Sequence, residues 1–187
     1  LEGEKPAQSV EMDKEERLQM KNYNLLTMKP MIYIANMSEE EIAAPQDNAY
    51  FKLVKEYAAA HNSEVVPICA KVEEELSSLS KEEKDAFMQE MEMGESGLDQ
   101  VIKTAYRILD LCTFLTAGED ECRAWTFRKG MSAPQCAGVI HTDFQKGFIR
   151  AETYRFEDID ELENEHAIKE AGRLRLEGKD YIVQDGD

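Results

Sequence analysis

Basic residues are scarce in this sequence: 22 Lys and Arg stand against 39 Asp and Glu, for a formal net charge of −17. Phosphate backbones are gripped by clustered cations. The balance therefore excludes a broad nucleic-acid grip, on DNA above all, and confines any RNA contact to a local patch. Long apolar runs are also missing. Nothing approaches the roughly 18 to 20 consecutive apolar residues that a membrane span needs, and residues 1–10 lack the apolar block of a signal peptide. A soluble, cytoplasmic protein without a membrane partner is expected. The four cysteines, Cys69, Cys112, Cys122 and Cys136, form no C-x-x-C pair and have no histidine at zinc-finger spacing. Reduced thiols follow as the expectation, with neither a disulfide scaffold nor a structural metal. The sequence also begins without Met, so the chain is expected to start inside a larger protein.

The 187 residues, 42% of them hydrophobic, suffice for one large or two small packed domains. The most informative stretch is Met31-Ile32-Tyr33-Ile34-Ala35-Asn36-Met37-Ser38-Glu39. An apolar run without polar alternation suits a parallel strand covered on both faces, and ligands collect at the carboxyl ends of such strands. Asn36 stands at that end, where its amide could address a purine edge, with the Glu39 carboxylate three residues on. Local pattern leaves a second reading open: Asn36 closes the strand, and Ser38 caps a helix over Glu39, Glu40 and Glu41.

Upstream, Asp13 is placed to cap a helix running to about Asn24. Downstream, Tyr50, Leu53, Val54, Tyr57 and Ala58 recur at spacings of three and four, predicting a helix whose apolar face packs on a sheet. Residues 64–70 read as a second buried strand, with Pro67 pushing it toward an edge. Strand, helix, strand makes a βαβ unit, and the backbone of Cys69 and Ala70 could brace a base held by Asn36. Ser80 with Glu83 opens a helix to about Met91, and Ser96 with Asp99 opens another. In the latter, Leu98, Val101, Ile102, Ala105, Ile108 and Leu109 form an apolar stripe that should pack on a sheet.

Alternation replaces helical spacing after Leu111, and two strands around a turn at residues 118–121 read as a hairpin ended by Gly130. Ser132 and Pro134 begin a short helix that Gly138 should stop, and residues 147–155 alternate as a third strand. Asn164 caps a helix ended by Gly172, and residues 179–183 read as a last strand before Gln184-Asp185-Gly186-Asp187. That order suggests a small α+β, grasp-like fold whose closing strand after Asp187 is missing, so the chain reads as cut at both ends.

Four segments, Arg123-Ala124-Trp125-Thr126, Ala133-Pro134-Gln135, residues 141–149 and Tyr181-Ile182-Val183-Gln184-Asp185-Gly186-Asp187, resemble the carboxyl-terminal half of the YchF-type, Obg-like P-loop ATPases. The resemblance extends upstream through Leu25-Leu26-Thr27-Met28-Lys29-Pro30 and the Asn36 stretch to Val65-Val66-Pro67. It implies an α/β partial P-loop NTPase (Rossmann-like) domain followed by an α+β TGS (β-grasp, ubiquitin-like) domain. Residues 1–28 would be the returning end of a helical insertion, 29–112 the end of the NTPase domain and 113–187 the TGS domain. It further implies that Asn36 bonds the base, Met37 lies against the ring and Cys69 and Ala70 close the rim. Glu39 would stand where GTP-specific relatives carry Asp, with ATP accepted at least as well as GTP. The sequence departs from the family's pattern in having no G-x-x-x-x-G-K-[ST] and no Asp-x-x-Gly switch before these strands. This chain is therefore expected not to hydrolyse nucleotide, and the parent's Mg²⁺ would find no ligand in it.

Two further constellations have competing readings. Trp125, Phe127 and Phe148 with Arg123, Arg128, Lys129, Lys146 and Arg150 could form a stacking, phosphate-contacting face for RNA or the ribosome, or the aromatics could simply be core. His141 beside Asp143 suits a cap that orients the following turn better than acid-base catalysis. A non-enzymatic adaptor acting only through its TGS module is the alternative to a fragment of an ATP-preferring hydrolase.

Overall fold

A computed structural model describes residues 5–91, 94–118 and 121–187. Its contacts divide the chain into two compact units, Leu1–Ala105 and Tyr106–Asp187. Together they show the α/β content that the sequence implies.

In the first unit, α1 (Lys14–Lys21) starts at Asp13. The Asp13 carboxylate accepts from the Glu16 N–H while the Glu16 carboxylate accepts from the Asp13 N–H, so two otherwise orphaned donors are satisfied. The strand β1 (Ile32–Asn36), short α2 (Glu39–Ile42), α3 (Ala49–Ala60) and β2 (Glu64–Ile68) follow, and β1 and β2 pair in parallel from Ile32 opposite Glu64 to Asn36 opposite Ile68. The βαβ unit stands as expected. Beyond it lie α4 (Ala70–Ser77), α5 (Lys81–Glu90) and α6 (Gly97–Ile108), which begins in this unit and ends in the next.

Three expectations for this unit are corrected. In α3 it is Phe51 and Ala58, seven residues apart on one face, that are buried, whereas Tyr50, Leu53 and Tyr57 are exposed. Phe51, the large side chain that has no hydroxyl to keep in water, sets the buried face together with Ala58, which the predicted stripe already contained. In α6 the stripe is uncovered at Leu98, Ile102 and Leu109, while Thr104 is buried. The helix α4 was not apparent from sequence. Its Val72 and Leu76, four apart, are buried with Cys69 against Ile42, Leu79, Phe87 and Met88 and form the core of this unit.

The second unit opens with the expected hairpin, β3 (Leu111–Ala117) and β4 (Cys122–Arg128), paired antiparallel with Phe114 opposite Trp125. The two central residues of its turn lie outside the described residues. Next come α7 (Ala133–Ile140), α8 (Thr142–Gly147), β5 (Ala151–Thr153), α9 (Phe156–Leu162), α10 (Glu165–Glu170) and β6 (Arg175–Glu177), with β5 and β6 antiparallel. Gly130 and Gly172 take positive φ, 88° and 69°, and end their elements as predicted.

Other expectations fail here for local reasons. Gly138 does not stop α7. A Cβ there would lie 2.7 Å from the Gln145 side chain, so this glycine admits the close approach of α8. The third strand shrinks to β5: α8 takes residue 147, and residues 148–150 and 154–155 are irregular. The last strand forms at residues 175–177 rather than 179–183; Tyr181 donates back to the Gly178 carbonyl in a turn, and Ile182 keeps a single bridge to Ser132.

Residues 185–187 run beside β3. The Gly186 N–H donates to the Thr113 carbonyl (2.8 Å), the Leu115 N–H to the Asp187 carbonyl (2.9 Å), and the Thr113 N–H to the Asp185 carboxylate (2.7 Å). Both backbones ascend together, as in parallel pairing.

Candidate functional site

Parallel pairing brings the carboxyl ends of β1 and β2 level, and both strands hand over at once to helices. The Met37 N–H donates to the Ile68 carbonyl at 2.8 Å, continuing the ladder one residue past β1. The Ala70 N–H, at the start of α4, donates to the Asn36 side-chain oxygen at 3.1 Å. Thirty-four residues separate this pair in sequence. Asn36 thus uses its acceptor within the fold, and its exposed amide retains the N–H₂ donors.

The loop after Asn36 is held by a polar chain. The Glu41 carboxylate accepts from the Ser38 N–H and hydroxyl and, at 2.7 Å, from the Asn48 amide, whose own oxygen caps α3 at the Phe51 N–H. These donors hold the Glu41 carboxyl below its ordinary range, the Ser38 backbone N–H contributing most. Ser38 therefore caps α2 as one of the two sequence readings requires, and it does so without engaging Asn36 or Glu39.

Glu39 is matched by a residue the sequence argument passed over. Lys71 Nζ lies 2.5 Å from Glu39 Oε1, and the hydrogen bond and charge of that carboxylate raise the Lys71 pKa. Lys71 is largely open to water and Glu39 partly so, and the pair therefore adds little to stability. Its signal lay in the topology: Glu39 and Lys71 each follow a strand end by three residues, and parallel register sets them side by side.

The remaining predicted residues fall as follows. Ala70 is exposed beside Asn36, and Met37 is half-buried. The Cys69 side chain is turned into the core with Val72 and Leu76, which leaves only its backbone to face a rim. The helix carrying Ala70 and Lys71 is braced by Glu73, whose carboxylate accepts from the Gly97 N–H (2.7 Å) and the Leu98 N–H (3.2 Å) at the start of α6. A Cβ at Gly97 would sit 2.8 Å from Ile68 Cγ2, so the absence of a side chain there is what allows the contact.

In the second unit, Arg123, Arg128, Lys129, Lys146 and Arg150 are all exposed. Arg123 and Arg128 are five residues apart on β4, which places them on opposite faces and roughly 17 Å apart along the strand. The Arg123 guanidinium lies 4.3 Å from the Trp125 ring centroid, and the Trp125 indole donates to Thr116 Oγ1 at 3.0 Å. Phe127 and Phe114 are buried against each other edge to face, with centroids 5.7 Å apart. Phe127 is thus core and offers no stacking surface. His141 Nδ1 accepts the Asp143 N–H at 3.2 Å and caps α8, the structural role expected of it.

Below the hairpin is a cleft of about 900 Å³, lined by Leu115 and Thr116 of β3, Glu152 and Thr153 of β5, and Cys136 and Ile159 among others. At one side Asp187, its side chain only 3% exposed, accepts from Arg175 Nη2, the Tyr181 hydroxyl and the Gln184 N–H, at 2.7, 2.7 and 2.8 Å. Burial pushes the Cys136 thiol up to about 11.

Among the described residues no group of three His, Cys, Asp or Glu is placed to hold a metal ion, and no helix is long and apolar enough to cross a membrane.

Comparison with known proteins bears on both units. Residues 111–187 match the family YchF-GTPase_C, described as "Protein of unknown function (DUF933)". All 187 residues align with the ribosome-binding ATPase YchF of Bacillus subtilis (54% identical) and of Haemophilus influenzae (50%), covering 51% of each. Obg-like ATPase 1 of Gallus gallus is 46% identical over 163 residues, 86% of this chain and 41% of that protein. Among solved structures, that of the Schizosaccharomyces pombe YchF GTPase matches with a TM-score of 0.82 at 35% identity, covering 100% of this chain and 49% of the other. The chain spans about half the length of the curated relatives it matches.

Proposed function

Because this chain belongs to the YchF family, we propose that it is the base-reading and ribosome-directed half of a cytoplasmic, ATP-preferring P-loop hydrolase. One observation carries the first part of that reading: the Ala70 N–H on the Asn36 oxygen, which fixes the amide at the carboxyl ends of two parallel strands with Glu39 three residues on. With its oxygen occupied, Asn36 presents N–H₂ donors to a purine ring nitrogen. Met37 would lie along the ring, and the backbone at Cys69 and Ala70 would close the rim. Phosphoryl transfer and Mg²⁺ binding belong to residues outside this chain, since the 187 residues contain no phosphate-cradling G-x-x-x-x-G-K-[ST]. The named relatives are ATPases or a GTPase, which agrees with a purine nucleotide as ligand.

Titration of the chain with ATP, followed by amide NMR, tests the site. Shifts at Asn36, Met37 and Ala70 are expected, with loss of about tenfold in affinity for Asn36→Ala, the value of a hydrogen bond worth about 1.4 kcal/mol. Glu39→Asp is expected to move preference toward GTP; equal ATP and GTP affinities in both variants would remove Glu39 from base discrimination.

The second unit is read as a TGS-type β-grasp module. The paired strands β3 and β4 line the cleft together with β5, which is itself paired with β6, and residues 185–187 already bond along the β3 edge in parallel. A further strand laid into the cleft would join the two pairs into one sheet. Ribosome or RNA contact falls to the exposed cations, with Arg128 and Lys129 forming one candidate patch and Arg123 another. The double change Arg128→Glu, Lys129→Glu should weaken co-sedimentation with ribosomes several-fold at low salt, and unchanged co-sedimentation would clear that patch. The adaptor reading, in which this module alone acts, predicts co-sedimentation that is indifferent to ATP and to Asn36→Ala.

A further inference from the structure

We infer that Lys71 is a specificity-determining residue of the base site, setting adenine over guanine by holding Glu39. This rests on the base-site reading above and goes beyond it by naming how the acidic position is tuned. The geometry comes from the two strand ends. Asn36 and Ile68 are register partners, so the segments that leave them run side by side. Contact is made twice, by Ala70 N–H on the Asn36 oxygen and by Lys71 Nζ on Glu39 Oε1. The two contacts use consecutive residues of α4 and bind the two residues of β1 and α2 assigned to the base. A lysine in the first turn of a helix is opposed by the helix dipole, so local electrostatics do not account for its position. The nearby Glu39 carboxylate does, together with the weaker field of Glu75.

The consequence is one of orientation and charge. A free carboxylate can turn both oxygens to the ring N–H and the exocyclic amine on the guanine edge. Adenine presents one exocyclic amine beside a ring acceptor, and needs only one acceptor from the protein. The ammonium on Oε1 holds the Glu39 carboxylate toward Lys71 and balances part of its charge, so it is a weaker and less freely oriented acceptor for a paired set of donors. Guanine, which needs both bonds, loses more by this than adenine does. Lys71 is largely open to water and Glu39 partly so, and the discrimination supplied by Lys71 is therefore expected to be a few-fold rather than orders of magnitude.

The test uses the 187-residue chain, titrated separately with ATP and GTP and followed by NMR at the Asn36, Met37 and Ala70 amides, which reads millimolar affinities directly. Lys71→Met keeps the aliphatic stem and removes the ammonium; it should shift the ATP-to-GTP affinity ratio about threefold toward GTP with the Asn36 and Ala70 shifts retained. Lys71→Arg should keep the parent ratio. An unchanged ratio in Lys71→Met, with purine still bound at Asn36, overturns the role of Lys71 and leaves the base site standing. Absence of any nucleotide-induced shift at these amides in the parent chain overturns both.

Discussion

The two units solve the same problem, fixing a remote piece of chain at a strand edge, with different chemistry. In the first, side chains reach backbone at element ends: Asn36 takes the Ala70 N–H, and Glu73 takes those of Gly97 and Leu98. Asn36 and Ala70 stay at the surface, where a ligand can compete for them, while Glu73 is half-buried and Gly97 buried. In the second, the fixing group is a carboxylate, that of Asp187, buried and surrounded by three donors. Surface bonds leave a site adaptable, whereas a buried charge with fixed partners makes a scaffold. The candidate base site falls on the adaptable side of that difference.

Asp187→Ala should have the largest effect. Removing the carboxylate leaves the Tyr181 hydroxyl and Arg175 Nη2 without their acceptor, while Arg175 Nη1 keeps Glu177 Oε1 at 3.3 Å. A loss of about 3 kcal/mol in urea unfolding is expected, the low end for a broken buried pair because Arg175 keeps about a third of its side chain in water. A loss under 1 kcal/mol would place Asp187 with the surface pairs and erase the contrast. Two glycines sharpen it at the next level. Gly97→Ala drives a Cβ into Ile68, a β-branched residue fixed in β2, and should cost about 2 kcal/mol. Gly138→Ala meets the Gln145 amide, which can swing away, and the Gln145 Cβ at 3.2 Å, which must give by a few tenths of an ångström; with helix propensity gained in return, the net cost should be about 0.5 kcal/mol. Equal costs for the two would mean that neighbour stiffness does not decide them.

The smallest effect is alkaline. The Cys136 thiol, at about 9 in an open chain, is pushed up to about 11 by burial first and by the Asp187 charge second. Above pH 9 the unfolded chain gives up this proton before the folded one does. The second unit should therefore keep this contribution in full below pH 9 and lose it progressively as pH rises to about 11. Cys136→Ala should flatten that slope, read as unfolding midpoint against pH.

Element starts were legible where the capping residue was one of the usual kind. Asp13, Ser38, Ser80, Ser132 and Asn164 all stand at the helix starts assigned to them. The three helices that went unread begin at Cys69, His141 and Arg155; His141 was read as the cap of a turn rather than of a helix, and Cys69 and Arg155 are residue types that carry no capping signal in sequence. Asn36 and Ala70 were legible as neighbours because parallel βαβ topology sets strand ends level. Lys71 was not, since its meaning depends on the register that only the structure supplies. Arg123 and Arg128 belong to one candidate set, but period-two alternation, legible in the sequence, already puts them on opposite faces, as β4 does. The buried faces of α3 and α6 were misjudged because apolar spacing marks a stripe without saying what will cover it, and Phe51 outweighed three smaller or more polar candidates.

The bonds between residues 185–187 and β3 also bear on the order of events during synthesis. Thr113 and Asp185 are 72 residues apart. At translation rates of about 5 to 20 residues per second, the β3 edge would wait several seconds for its partner. The β3–β4 hairpin can form in microseconds, but an isolated two-stranded hairpin is marginal in water. Through that interval Phe114 and Phe127 can gather only the partners made before residue 185, among them Met131, Cys136 and Ile140, and the nascent chain carries an open strand edge beside them. Covering of the β3 edge is therefore a late, long-range event, and the arrival of residues 185–187 sets the moment at which that stretch of edge ceases to be available to other chains.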